Sequence, residues 1–167
     1  DNIFLFDIKC ERIAKHCLPG QFVIVRSDCD SERIPLTICD YNREAGTVSV
    51  CFQVVGAGTH RLSQLKEWEY IHDVAGPLGC PSELCSTDIE ELKSKNILFV
   101  AGGLGTAPVF PQVKWLKEHG VDCDVIIELV DLIEQCREVR CHACELVVAL
   151  FFRLRSLLLL LLQTELY

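Results

Sequence analysis

The sequence predicts a protein of two parts, a small antiparallel β-barrel followed by the beginning of a parallel α/β domain. Five short segments rich in β-branched and aromatic residues occupy the first half of the chain, and turn-forming residues separate them. Strands at this spacing favour a small barrel. A strand, a glycine-rich turn, a helix and a second strand follow over residues 97–127. One such βαβ unit favours a parallel sheet with a right-handed crossover.

The composition narrows the class of protein. The 167 residues suffice for one sizeable core or two small domains packed together, and an apolar content of 50% is that of a globular protein. A formal net charge of −8 argues against nucleic acid as a partner, since phosphate contacts need a basic face. An acidic surface suits a small-molecule enzyme or a subunit that docks on a basic protein.

The cysteine pattern indicates a reducing compartment. The 11 cysteines are an odd number scattered along the chain, and no secretory signal sequence precedes them, whereas secreted disulfide scaffolds show the opposite. We therefore interpret most of them as small buried residues of a cytoplasmic protein. The chain contains no methionine, even at position 1, and its first apolar strand begins almost at once. We expect a fragment of a longer protein that lacks the first strand.

The predicted strands of the barrel are residues 3–8, 21–26, 33–38, 47–54 and 70–74. The fourth strand alternates most clearly between two faces. One face carries Val48, Val50, Phe52 and Val54, and the other carries Thr47, Ser49, Cys51 and Gln53.

The segment Gly-Ala-Gly-Thr, residues 56–59, interrupts the strand pattern. Leu62 and Leu65 have helical spacing behind it, so Thr59 is a candidate N-cap of a short helix. The free amides of such a helix start can bind an anion. The same segment is also compatible with a simple strand end.

A connector separates the two predicted parts. The segment Gly-Pro-Leu-Gly, residues 76–79, is predicted to form a turn, and a short helix is expected near residues 88–93. The predicted organisation is a β-barrel over 1–80, a connector over 81–95, the start of an α/β domain over 96–127 and a divergent tail over 128–167.

The strand at residues 97–101 is an unbroken apolar run, which predicts burial on both faces. Three glycines in the next four positions permit a sharp turn and close approach of a ligand. Thr106 is a candidate N-cap for a helix from about residue 107 to residue 119, and Gly120 follows the helix end. Its predicted buried stripe consists of Val109, Val113 and Leu116. The turn is either an anion- or dinucleotide-binding site or only a tight connection.

Four segments then occur in a recognisable order. They are Arg33-Ile34-Pro35-Leu36-Thr37, Phe-Gln-Val-Val-Gly-Ala-Gly-Thr at residues 52–59, Gly-Pro-Leu-Gly at residues 76–79, and Ala-Gly-Gly-Leu-Gly-Thr-Ala-Pro at residues 101–108. In this order they resemble the ferredoxin–NADP reductase superfamily. The resemblance covers about residues 2–127. It is strongest to the flavin subunits of dihydroorotate dehydrogenase B and of NADH-dependent ferredoxin:NADP oxidoreductase (sulfide dehydrogenase).

The resemblance implies that the β-barrel binds FAD. The matching positions are Arg33, Pro35, Leu36, Thr37, Cys51, Phe52, Gln53, Gly58 and Thr59. Arg33 matches the cation at the FAD pyrophosphate, and Gly58 and Thr59 match the pyrophosphate-binding turn. Pro35 and Leu36 match residues along the flavin and ribityl chain, while Cys51, Phe52 and Gln53 match the strand flanking the flavin and adenosine. Thr37 matches the catalytic Ser/Thr near flavin N5, which accepts hydride.

The resemblance also implies that the α/β domain binds NAD(P)H as substrate. The matching positions are Gly102, Gly103, Gly105, Thr106 and Pro108. Such a protein needs no catalytic acid–base pair, because it stacks nicotinamide on flavin and tunes N5 by hydrogen bonding. For residues 33–37 alone, an edge strand containing a proline is the alternative interpretation.

After residue 127 the resemblance ends. The family would continue with more strands and a cysteine cluster that holds an iron–sulfur centre. Cys136, Cys141 and Cys144 have the spacing of plant-type ferredoxin ligands, but no fourth cysteine follows. His142 is an alternative fourth ligand for zinc. We predict no metal site and interpret these cysteines as incidental.

The apolar run at residues 146–162 is at the short limit for a membrane-spanning helix, and it contains Arg153 and Arg155. The cost of two arginines offsets the gain from the apolar residues, so the run does not compel insertion. A misread C-terminus is an alternative explanation of this composition.

The sequence therefore predicts an FAD-dependent oxidoreductase subunit that passes electrons from NAD(P)H through flavin to an iron–sulfur protein or a second redox subunit. We expect a hetero-oligomer. One alternative is an FAD-binding module without reductase activity, because the NAD(P) domain is incomplete. A second alternative is a metal-binding or structural subunit that acts through the cysteine-rich tail.

Overall fold

The computed structural model describes residues 2–128. The strands are β1 (Ile3–Lys9), β2 (Phe22–Arg26), β3 (Ile34–Asn42), β4 (Thr47–Gln53), β5 (Asp73–Leu78), β6 (Leu98–Gly102) and β7 (Asp124–Glu128). The helices are α1 (Glu11–His16), α2 (Ala57–Ser63), α3 (Ile89–Lys93) and α4 (Thr106–Glu118). Short 3₁₀ turns lie at Glu83–Ser86 and Gly103–Gly105.

The first five strands form one sheet in the order β1-β4-β3-β2-β5, and every neighbouring pair is antiparallel. The predicted antiparallel β domain is therefore confirmed. Strands β1 and β5 form the two edges of the sheet within residues 2–128, so this part of the chain shows no pairing that closes a barrel.

The core of the β domain follows from the alternation of β4. Val48, Val50 and Phe52 are buried, as predicted, while the intervening residues are half-buried on the other face. The rings of Phe4 and Phe6 lie 5.7 and 5.2 Å from the ring of Phe52. Helix α1, which the sequence pattern did not predict, covers the same core with Ile13 and Ala14. Its six residues are too few to show helical periodicity.

Strand β5 differs from the prediction. Gly76, Pro77 and Leu78 were predicted to form a turn but lie within the strand, which begins at Asp73 rather than residue 70. The proline is tolerated because β5 is an edge strand. A Cβ atom on Gly76 would lie 2.8 Å from Val23 Cγ1, so the glycine lets β5 pack closely on β2. The glycine and proline therefore mark an edge strand.

The α/β part contains the predicted parallel pair, with Leu98 opposite Asp124 and Gly102 opposite Glu128. The predicted connector helix is also present as α3, where the Asp88 side chain accepts hydrogen bonds from two amides of the first turn. Leu92, Leu116 and Val121 form a second core cluster. Val109 and Val113, predicted to be buried with Leu116, are only half-buried.

Helix α4 ends as the sequence predicts. Gly120 has a φ of +68°, and its N–H donates to the carbonyl of Lys117 while the N–H of Val121 donates to the carbonyl of Leu116. This is a Schellman motif, in which a left-handed glycine satisfies the last carbonyls of a helix.

The prediction that the first α/β strand is buried on both faces is wrong for the described part of the chain. Leu98 and Val100 of β6 are 56% and 70% exposed, and Ile126 of β7 is 50% exposed. Ala101 and Ile127, on the opposite face, are buried. The apolar run suits a doubly covered sheet, but residues 2–128 cover one face only.

Candidate functional site

The outer face of β3 presents the segment that carries the predicted FAD contacts. Pro35 and Thr37 are exposed on this face, while Leu36 points the other way and is 8% exposed in the core. Because side chains alternate along a strand, Arg33 shares the side of Pro35 and Thr37. Leu36, predicted to line the flavin, therefore offers a ligand only its main chain.

Arg33 makes an ion pair across the sheet. Its Nη1 donates to Asp73 Oδ2 of β5 at 3.1 Å, and both side chains are about half exposed. Exposed ion pairs of this kind contribute only about 0–1 kcal/mol, so the guanidinium can take up another anion at little cost. An arginine has five N–H donors, and this pair uses one.

A side chain in the first turn of α2 caps the start of the helix. The N-cap is Gly56, and Thr59, predicted as the N-cap, lies at the third helical position. Thr59 Oγ1 accepts hydrogen bonds from the N–H groups of Val55 and Gly56, at 3.0 and 3.1 Å. The prediction located the right residue but gave it the wrong position, because a threonine hydroxyl can also reach back from the third position.

A carboxylate accepts a hydrogen bond from one of the main-chain amides at the start of α2. The N–H of Gly58 donates to Glu32 Oε1 at 2.9 Å. A Cβ atom on Gly58 would lie 2.2 Å from that oxygen, so the contact depends on glycine. Glu32 was not predicted from the sequence, because it lies in the segment before β3 and is 26 positions away from Gly58 in the chain. The start of α2 thus binds an anionic oxygen from the residue next to Arg33.

Strand β4 divides its predicted site residues between two faces. Cys51 and Gln53 are half-buried on the outer face, whereas Phe52 is 2% exposed and belongs to the core. Among these three residues, Cys51 and Gln53 are the side chains that face outward. Phe52 supports the strand from beneath.

The glycine turn connects β6 to α4. Gly103 has a φ of +52°, which glycine adopts without strain, and Cβ atoms on Gly103 and Gly105 would meet nothing within 4 Å. Gly105 is the N-cap of α4, so Thr106, predicted to be the N-cap, is instead the first helical residue. Thr106 Oγ1 is buried and has no hydrogen-bond partner within the described residues. Pro108 lies in the first helical turn, as predicted.

The fold brings the two predicted binding segments together. The 3₁₀ turn Gly103–Gly105 contacts β4, the strand that carries Cys51 and Gln53. Helix α4 packs on β3, the strand that carries Thr37. An open glycine turn with an unsatisfied hydroxyl therefore lies beside a strand pair that presents a cation and polar side chains. This arrangement suits a ligand with anionic and aromatic portions.

Two predictions concern residues that the structure does not describe. Cys136, Cys141, His142 and Cys144 lie outside residues 2–128, as does the apolar run at 146–162. Within residues 2–128, no group of three or more metal-ligating side chains is placed to hold an ion. No helix in that same range has the length and hydropathy of a membrane span.

The chain has sequence relatives among known proteins. The chain is 40% identical over 127 residues to a dihydroorotate dehydrogenase B (NAD(+)) electron transfer subunit homolog of Thermotoga maritima, which covers 76% of this chain and 43% of the relative. It is 38% identical over 106 residues to the electron transfer subunit of dihydroorotate dehydrogenase B from Listeria monocytogenes. An uncharacterized Clostridium beijerinckii protein from the adh 3' region is 56% identical over 127 residues. No protein-family model matches the chain.

Solved structures with the same fold are also found among ferredoxin–NADP reductase-like proteins. The structure of an NADH-dependent reduced ferredoxin–NADP oxidoreductase, solved for insight into flavin-based electron bifurcation, superposes with a TM-score of 0.67 at 40% identity. The match covers 76% of this chain and 44% of that one. Ferredoxin–NADP⁺ reductase from Plasmodium falciparum superposes with a TM-score of 0.58 at 14% identity, which shows the fold alone.

The fold and the sequence relatives define a ferredoxin–NADP reductase-like protein. Within that class, the chain is similar to the electron-transfer subunits of dihydroorotate dehydrogenase B, as the sequence motifs predict. The chain spans about two fifths of the length of the curated relatives that it matches, 43% for the Thermotoga maritima protein.

Proposed function

We propose that this chain is the FAD-binding portion of an oxidoreductase subunit that receives electrons from NAD(P)H and passes them to a redox partner. The observation that carries the proposal is the contact of the glycine turn Gly103–Gly105 with β4, next to the β3 face that presents Arg33 and Thr37. The relatives are electron-transfer subunits of oxidoreductases, which supports the same role.

The β domain fits FAD at three points. Arg33 and the α2 amides would bind the pyrophosphate. The Gly58 N–H already donates to a carboxylate oxygen of Glu32, so an anionic oxygen fits at this amide. The main chain of Pro35 and Leu36, with Cys51 and Gln53, would line the flavin and adenosine portions. Thr37, exposed on the same face, would donate a hydrogen bond at flavin N5. Bound FAD supplies the ability to accept hydride and to release electrons singly.

The glycine turn fits the nicotinamide nucleotide. Gly103 and Gly105 leave open space where side chains would stand, which permits close approach of a ligand to the main chain. The unpartnered hydroxyl of Thr106 would gain a hydrogen bond from such a ligand, and buried polar groups are usually satisfied. Gly102 and Pro108 border the same turn.

In this proposal, a second protein carries the group that accepts the electrons. We place an iron–sulfur protein or a second redox subunit next to the flavin edge, in a cytoplasmic hetero-oligomer. The relatives are named as subunits, which supports a multi-subunit assembly. An acidic chain with a net charge of −8 suits a basic docking face.

The FAD site is tested by Arg33→Ala. Loss of a charge-assisted contact to the pyrophosphate should weaken FAD binding about tenfold or more, measured by titration of flavin fluorescence. Arg12→Ala is the matched control, because Arg12 is exposed on α1. Thr59→Ala is less informative, since it also uncaps α2. Equal affinity in the two arginine variants would contradict the site, and failure of the unmodified chain to bind excess FAD would contradict the function.

A flavin module without reductase activity is the second candidate. The observation that favours it is the α/β part, which has two strands and one exposed apolar face within residues 2–128. Rapid mixing of the FAD-loaded chain with NADH distinguishes the two functions. Bleaching of the flavin absorbance supports the reductase, and an unchanged spectrum supports the module. The further alternative based on the cysteine-rich tail concerns residues outside the described range.

A further inference from the structure

A lysine of helix α4 forms an ion pair with an aspartate of β3, within the wider packing of the helix on that strand. Lys114 Nζ donates to Asp40 Oδ1 at 2.7 Å, although the two residues are 74 positions apart. The side chains are 34% and 30% exposed, so about two thirds of each is shielded from water. Lys114 Nζ also lies 5.5 Å from the centre of the Tyr41 ring, within the range of a cation–π contact.

The carboxylate of this pair is also held by a main-chain group of its own strand. Asp40 Oδ1 also accepts a hydrogen bond from the N–H of Tyr41 at 2.8 Å. The register of β3 against β4 shifts between Ile38 and Asp40, which fixes the local bend of the strand. Arg43 covers the Tyr41 ring as well, with its guanidinium 5.3 Å from the ring centre. The strand end is therefore a preorganised acceptor for one cation from α4.

Strand β3 also carries Thr37, and helix α4 begins at the glycine turn, so both elements of the ion pair continue into the proposed binding segments. Asp40 lies three positions after Thr37 on β3, and Lys114 lies eight positions after Thr106 at the start of α4. At 1.5 Å per helical residue, Lys114 is about 12 Å from the glycine turn. A rotation of α4 on β3 would move the turn relative to the strand that carries Thr37.

We propose that Lys114 and Asp40 are positioning residues that hold the nicotinamide-binding turn at the correct distance from the flavin-binding face. This inference rests on the proposed function. It goes beyond that function by assigning a role to two residues outside the positions proposed to bind FAD and NAD(P)H. Their pair selects one orientation of α4 on β3 and so favours hydride transfer without contributing to FAD binding.

The test compares Lys114→Gln and Asp40→Asn with Lys114→Arg, in the full chain loaded with FAD. Asp40→Asn keeps an acceptor for the Tyr41 N–H and removes only the charge. Lys117→Gln on the last turn of α4 is the control, because Lys117 is exposed. At saturating NADH, the first two variants should reduce the flavin about three- to tenfold more slowly with unchanged FAD affinity. Lys114→Arg, which keeps the cation, should retain most of the rate.

A second readout does not need NADH reduction. Residual dipolar couplings of amides in β3 and α4 report the mutual orientation of the two elements. We expect one orientation in the unmodified chain and in Lys114→Arg, and averaged couplings in Lys114→Gln. Couplings unchanged by Lys114→Gln, or flavin reduction as fast as in the Lys117→Gln control, would overturn the inference while leaving the proposed function intact. A chain that binds no FAD would overturn the proposed function instead.

Discussion

At the scale of single residues, the candidate site depends on contacts that the local sequence does not reveal. Thr59 was found because a small polar residue before an apolar helical pattern is a strong local signal. Glu32 was not found, because its bond to Gly58 joins positions 26 apart. Likewise, the ion pair of Arg33 with Asp73 joins positions 40 apart. Residue type and spacing therefore indicate candidate segments for a site, but they do not indicate which side chains meet there.

Trp68 gives a prediction at this scale. It has a φ of +70° and is 90% exposed, so it has the strain of a left-handed residue and almost no compensating burial. We expect Trp68→Gly to raise the free energy of unfolding by about 0.5–1 kcal/mol, measured by urea denaturation. Tyr70→Gly is the control, because Tyr70 is 94% exposed and lacks the positive φ. If both variants lose stability equally, strain at position 68 is not significant.

At the scale of elements, regular patterns were predicted well and short or edge elements were not. Strand β4 alternates over seven residues and was located almost to the residue. Helix α1 has six residues, too few for a periodic signal, and β5 contains a glycine and a proline that normally indicate a turn. These elements are specified by burial of Ile13 and by close packing of Gly76 on Val23, which are tertiary effects.

The two ends of α4 give a prediction at the element scale. Gly105 has a φ of −63° and open space around it, so Gly105→Ala should leave stability unchanged while obstructing NADH binding, with affinity reduced about tenfold. Gly120 has a φ of +68°, so Gly120→Ala should lower the free energy of unfolding by about 1 kcal/mol and leave NADH binding unchanged. Denaturation and NADH titration of both variants check this separation. A comparable loss of stability at Gly105 would contradict the functional interpretation of the turn.

At the scale of the whole molecule, the fold class was predictable from motif order, whereas the contact between the two parts was not. The strand–glycine–helix sequence and the barrel strands are local patterns. The contact of α4 with β3 includes the hydrogen bond of Lys114 to Asp40, two ordinary charged residues in the sequence. Their proximity follows only from the complete chain path.

The buried thiols predict how global stability depends on pH. Burial raises the pKa of Cys39 to about 12 and that of Cys17 to about 11, from an ordinary value of 9.0. Both thiols ionise more easily in the unfolded chain, so their contribution is complete below pH 9 and is lost as the pH rises toward the folded values. At pH 10 each thiol should lower the free energy of unfolding by roughly 1 kcal/mol. The free energy of unfolding, measured by urea denaturation, should differ less between pH 7.5 and pH 10 for Cys39→Ala than for the unmodified chain. Equal differences in the two proteins would contradict this account.

The pairing of β1 with β4 determines when the β domain can form. Ile3 pairs with Gln53 and Lys9 with Thr47, so the first strand finds its partner only after the intervening residues have been synthesised and ordered. Closing such a large loop before any pairing is gained slows folding, and antiparallel domains dominated by distant contacts fold in milliseconds to seconds. On the ribosome, β1 would emerge as an unpaired apolar strand and wait for β4. The unpaired strand Ile3–Lys9 therefore exposes the nascent chain to aggregation.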